Sequence, residues 1–139
     1  MASRYAQAEL LIALWKLGSV DDTLLPTSHG ILDRALRECF EILPEILHDD
    51  LTFSVTNVGL RCYELPDILL AAQETLLTSE PNPTYLSTMV TLDNDTAKQI
   101  VIAHGLSTER AQEVGRKLQD AVAGGDDENA AGTVQMPAA

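Results

Sequence analysis

The chain has 139 residues, 45% of them apolar but only 4% aromatic, and its 21 acidic against 9 basic side chains give a formal net charge of −12. That length accommodates one hydrophobic core, and the composition requires Leu, Ile, Val and Ala to fill it. The charge excludes a general polyanion binder: so negative a field repels phosphate backbones and anionic lipid surfaces, and the three Lys and six Arg form no basic cluster.

Residues 2–17 contain no Gly or Pro and read as a first helix that Gly18 terminates. Its apolar run Leu10-Leu11-Ile12-Ala13-Leu14-Trp15 is preceded by Glu9 and followed by Lys16, without a basic leader or a small-residue cleavage site. The run also falls far short of the roughly twenty apolar residues a membrane span requires. It is expected to be a core helix, with Trp15 as a core anchor, in a protein of the cytoplasm or of a virion that neither crosses a membrane nor carries a signal peptide. Acidity with few lysines is also the surface pattern of a halophile.

Ser28 can cap a second helix, in which Ile31, Leu32, Ala35, Leu36, Cys39, Phe40 and Leu43 form an apolar stripe. Asp33, Arg34, Arg37, Glu38 and Glu41 are expected on its wet face. Pro44 forces a break near Leu43 and suits a new first turn at Glu45-Ile46-Leu47. Residues 51–63 fit a helix through Leu51, Val55, Val58 and Cys62, and a strand through Leu51, Phe53 and Val55; the helix is preferred. Pro66 and Asp67 open a helix through Leu77 whose apolar residues cover more than one face, which places it deep in the core. The segment 79–83, with Pro81 and Pro83, is a turn. A short helix carrying Leu86, Met89 and Val90 follows, with a strand over 85–92 as the alternative.

Asp95 can cap a helix that Gly105 ends in a left-handed conformation; Leu106 then packs back and Ser107 caps the next helix. Beyond Gly124 the chain has too little apolar bulk to offset the entropy of ordering it. The resulting fold expectation is all-α: a compact domain of about six or seven helices over residues 1–123, followed by a flexible acidic and Ala/Gly-rich tail over 124–139. The alternative is α+β, with a small antiparallel sheet from 51–63 and 85–103.

Two motifs bear on function. The helical corner at 95–117 resembles the helix-turn-helix of DNA-binding regulators, with Val101, Gly105, Ala111 and Val114 at its core positions. On the second helix Glu109 and Glu113 would face phosphates beside Arg110 and Arg116, an adverse arrangement. The order His29, His48-Asp49, then Asp93 or Asp95 resembles the HD-domain phosphohydrolases, a resemblance that implies an all-helical enzyme in which these side chains hold divalent metal. Asp50-Leu51 replaces the small and basic residues usual after the His-Asp pair, and the bland reading of His48-Asp49-Asp50 is a solvated helix end. Asp93-Asn94-Asp95 fails as a calcium loop, since Lys98 and His104 stand where Gly and Glu are needed. Cys39 and Cys62 lack metal-type spacing and read as buried free thiols. No residue is therefore assigned a catalytic, cofactor-binding or metal-ligating role. The leading expectation is a non-catalytic interaction or assembly subunit whose partners are proteins, copies of itself included, as in a virion connector or an adaptor. A helix-turn-helix regulator and a metal-dependent hydrolase are the alternatives.

Overall fold

The computed structural model describes residues 3–18, 24–26, 30–57, 59–78 and 87–135, with residues 87 and 124–135 described by backbone alone. Six α-helices and two antiparallel strand pairs occur among them. The described chain is mostly helical, and its small strand pairs fit the α+β alternative in outline.

Helix α1 (Arg4–Gly18) is the hub: every residue from Leu10 to Trp15 is buried. A helix apolar on all sides must be surrounded, and α4 (Leu65–Glu74), α5 (Asn94–Ala103) and α6 (Thr108–Gln135) pack around it. The Trp15 indole donates to the Leu24 carbonyl at 3.0 Å, so the one tryptophan of the chain is a core anchor with its polar tip satisfied. Where α1 crosses α6, Gly18 and Gly115 bring the two backbones together. A Cβ on Gly115 would overlap the Leu14 carbonyl oxygen and stand 2.9 Å from the Gly18 nitrogen. Gly115 therefore sits in mid-helix, against its intrinsic propensity, because the crossing leaves no room for a side chain. Gln119 adds a bond from α6, donating at 2.7 Å to the Trp15 carbonyl in the last turn of α1.

Helix α2 (Ile31–Glu38) is shorter than the apolar stripe suggests: a 3-10 turn at Phe40–Ile42 completes it, and Leu43 is extended. Pro44 then starts the one-turn helix α3 (Glu45–His48), as expected. The proposed cap Ser28 lies outside the described residues, and Gly30, at φ 75°, occupies the position before α2. Asp33 departs from its expected place on the wet face. It is buried, and its Oδ2 accepts the Cys62 N–H at 2.7 Å.

The preferred helix over 51–63 is not formed. The segment is a hairpin, β2 (Phe53–Thr56) against β3 (Gly59–Cys62), with Phe53 opposite Cys62 and Val55 opposite Leu60. Gly59 at φ 110° suits a hairpin and would break a helix, and the β-branched Thr52, Val55 and Thr56 favour an extended chain. Helix α4 is likewise not deep on all sides: Ile68, Ala71 and Ala72 are buried, whereas Leu70 and Leu76 are exposed. Of the short helix expected to carry Leu86, Met89 and Val90, the described part is a strand, β4 (Ser87–Met89), paired with β1 (Leu24–Pro26). The turn at 79–83 lies outside the described residues. Residues 94–103 form α5 rather than a strand, and β4 pairs with β1 and not with the hairpin, so the expected single sheet is two separate strand pairs.

The corner between α5 and α6 follows expectation except at its start. Asp93, not Asp95, caps α5, accepting from the Thr96 N–H at 3.1 Å. At the other end Gly105 has φ 85°, its N–H reaches the Ile102 carbonyl and the Leu106 N–H reaches that of Val101, both at 2.9 Å. Ser107 Oγ then accepts from the Arg110 N–H at 3.1 Å, capping α6. The α6 backbone continues through the boundary set at residue 124 to Gln135, and its last described buried side chain is Val122.

Candidate functional site

Among the described residues, the side chains of the candidate metal site form no cluster able to hold a metal ion. His48 ends α3 with its ring stacked on Phe40, centroids 4.3 Å apart, and its Nδ1 lies 3.2 Å from Asp49 Oδ1, an exposed sequence neighbour. Asp93 serves the α5 cap, and hydrogen bonds from the Thr96 side chain and N–H hold its carboxyl below the ordinary aspartate range. Asp95 is exposed in the first turn of α5, and His29 lies outside the described residues. No group of three His, Cys, Asp or Glu side chains able to hold a metal ion occurs among the described residues.

The α6 face that a helix-turn-helix would offer to DNA carries Glu109, Arg110, Glu113, Arg116 and Lys117, all exposed. Glu113 draws in two of the three cations, Arg110 at 2.8 Å and Lys117 at 3.7 Å. The opposite face, Ala111, Val114, Gly115 and Leu118, is buried, chiefly against α1 and α2 rather than α5. The two-helix corner is thus real, yet its second helix is held mainly by other helices.

Both cysteines are buried free thiols. Burial pushes the Cys62 thiol up to about 12, the carboxylates of Glu64 and Asp33 adding to it, and burial raises Cys39 as well. Thiols held so far from ionisation are poor nucleophiles at neutral pH.

The hairpin has the most distinctive surface. Its base is held by carboxylates. Glu64 is buried and accepts the Thr52 N–H and hydroxyl, each at 2.7 Å; burial raises its carboxyl but these bonds outweigh that and leave it below the usual range. Asp33 holds the β3 side through the Cys62 N–H. Phe53 meets the Phe40 ring edge-on at 5.6 Å, with the Arg37 guanidinium 6.0 Å above the Phe53 ring. Beyond this base the hairpin is open, with Val55 84% exposed and Ser54 and Thr56 exposed as well, and at the base itself Tyr63 is 81% exposed. Residues 51–63 contain a single charged side chain, Arg61, and no carboxylate, in a chain of charge −12. Beside the hairpin Gly30, Asp33, Arg61, Tyr63, Leu65 and Leu69 line an open cavity of about 480 Å³.

The sequence reading missed Asp33 and Glu64 as the residues that build this feature. The signal for Glu64 was its place directly after a carboxylate-free stretch with β-branched Thr52, Val55 and Thr56 and with Asn57 and Gly59 at its middle, the composition of a hairpin turn. No helix among the described residues is long and apolar enough to cross a membrane. No protein-family model matches the chain, and neither a curated protein nor a solved structure does.

Proposed function

We propose that this protein is a non-catalytic interaction or assembly subunit, working in the cytoplasm or in a virion, and that the β2–β3 hairpin is its contact surface. The observation that carries the reading is the projecting hairpin with Val55 and Tyr63 exposed on a segment free of carboxylates. Uncovered apolar side chains on an acid-free surface favour a protein partner, because contact there removes apolar area from water without bringing like charges together. The Phe40, Phe53 and Arg37 cluster and the two carboxylates at the base support a rigid presentation, which lowers the entropy lost on binding.

Sedimentation of the full chain over a range of concentrations and salt tests the reading. Association is expected to strengthen with salt, since two bodies of charge −12 repel and salt screens them. A chain that stays monomeric and captures no protein at any salt would overturn it. A second reading, nucleic-acid binding through α6, draws on the tight corner at Gly105 and on exposed Arg110 and Arg116. It predicts the opposite salt dependence, with binding to duplex DNA that weakens as salt rises and is lost in Arg110→Glu.

A further inference from the structure

The two edges of the hairpin are not alike. Tyr63 donates to the Thr52 carbonyl, which makes Thr52 and Tyr63 a hydrogen-bonded pair and, by the alternation of an antiparallel ladder, Ser54 with Arg61 and Thr56 with Gly59 as well. The N–H and C=O groups of Phe53, Val55, Leu60 and Cys62 therefore point away from the ladder. On the β3 side the fold uses them: Cys62 N–H donates to Asp33, and the Leu60 carbonyl accepts from Arg61 Nη1 at 3.2 Å. On the β2 side no hydrogen bond to the outward groups of Phe53 or Val55 comes from the described residues. Nor does β2, Phe-Ser-Val-Thr, carry the charged side chain or proline by which edge strands are ordinarily protected.

We propose that two copies of the chain pair edge to edge through β2, antiparallel about a two-fold axis at Ser54, giving a continuous sheet in the order β3, β2, β2 of the second copy, β3 of the second copy. This is one form of the assembly proposed above and rests on it. The occupant is a second copy because the edge is complementary to itself. With Ser54 on the axis, Phe53 of each copy faces Val55 of the other, and each outward N–H and C=O of both residues finds a partner. The same register lays the exposed Val55 side chain beside the Phe53 ring of the second copy, on the face where that ring meets Phe40. Charge agrees: the segment brought to the axis has no carboxylate, so two acidic chains meet where neither is acidic. Strands this short bury far less than the roughly 1,200 Å² of an ordinary stable interface, so the dimer is weak and exchanges readily unless further contacts join it.

Disulfide trapping reads the register. Ser54 and Thr56 are both exposed, and Cys39 and Cys62 are buried with raised thiols, so an introduced cysteine reacts alone. Under a mild oxidant Ser54→Cys is expected to form disulfide-linked dimer at least about tenfold faster than Thr56→Cys, because identical residues meet at bonding distance only on the axis. Adding Val55→Pro to Ser54→Cys should bring the rate down to that of Thr56→Cys. The proline removes an outward donor and no ladder bond, and thermal melting checks that the fold is kept. Equal rates for the two cysteine variants, or a faster Thr56→Cys, would overturn the pairing. An oligomer of the unaltered chain that survives Val55→Pro overturns the β2 contact and leaves the assembly reading standing, whereas a strict monomer at the same concentrations removes both.

Discussion

The α1–α6 crossing and the β2–β3 hairpin show two ways in which one small chain spends its residues. At the crossing, specificity lies in what is missing: Gly18 and Gly115 carry no side chains because the backbones touch, and Leu10 to Trp15 are enclosed on every side. At the hairpin, the base is tied by buried Glu64 and Asp33 while Ser54, Val55 and Thr56 reach solvent. The lesson is a division of labour. Stability is concentrated where a substitution has nowhere to go, and the part of the hairpin open to solvent is the one the core does not need.

That division can be broken from the crossing outwards. Gly115→Ala forces a Cβ into the Leu14 carbonyl, with backbone rather than a flexible side chain in the way, and is expected to lower unfolding free energy by about 3 kcal/mol or more in urea denaturation. Glu64→Gln is expected to have the next largest effect, about 1–3 kcal/mol, since an amide cannot accept both Thr52 bonds. The same variant sharpens the pH behaviour. A folded carboxyl held below its unfolded value contributes stability that is complete above the usual glutamate range and is lost as pH falls through the folded value. The unaltered chain should therefore lose stability on acidification below about pH 4.5, and Glu64→Gln should lose less over that window in urea midpoints taken stepwise.

Leu76→Gly should act in the opposite direction, raising stability by about 1 kcal/mol. Leu76 holds φ 63° at the end of α4 and is 80% exposed, so it bears the strain of a left-handed residue with little burial in return. Smallest of all, Val55→Lys should leave the unfolding free energy from urea denaturation within about 0.5 kcal/mol of the parent while weakening self-association, the combination expected of a contact surface and not of a core residue.

Legibility in the sequence follows the same line. Helix α1, the break at Pro44 and the corner at Gly105 were readable because each rests on local chemistry: an unbroken run of helix formers, a proline, a glycine followed by a capping serine. The ends of α4 and α5 make the comparison sharper. Both close with the same pair of bonds, Leu77 to Ala72 and Leu76 to Gln73 in one, Leu106 to Val101 and Gly105 to Ile102 in the other. Only the second has glycine at the left-handed position and announces itself, so α4 was drawn through to Leu77. The hairpin was misread because Leu51, Val55, Val58 and Cys62 match a helical period by coincidence. The burial of Asp33 had no local signal at all: it depends on a backbone N–H from a strand 29 residues further on. Candidate sites fared similarly, for the ordered His and Asp residues matched a motif along the chain without meeting in space among the described residues.

The bond from Gln119 to the Trp15 carbonyl spans 104 positions of sequence. On a ribosome adding about 5–20 residues per second, α1 emerges and then waits on the order of five to twenty seconds for the helix that covers it. Helices α4 and α5 are made earlier, but the run from Leu10 to Trp15 lacks the α6 side of its enclosure for all of that interval. Folding on the ribosome is therefore late: the core around α1 closes only once α6, the last helix in the chain, has been made.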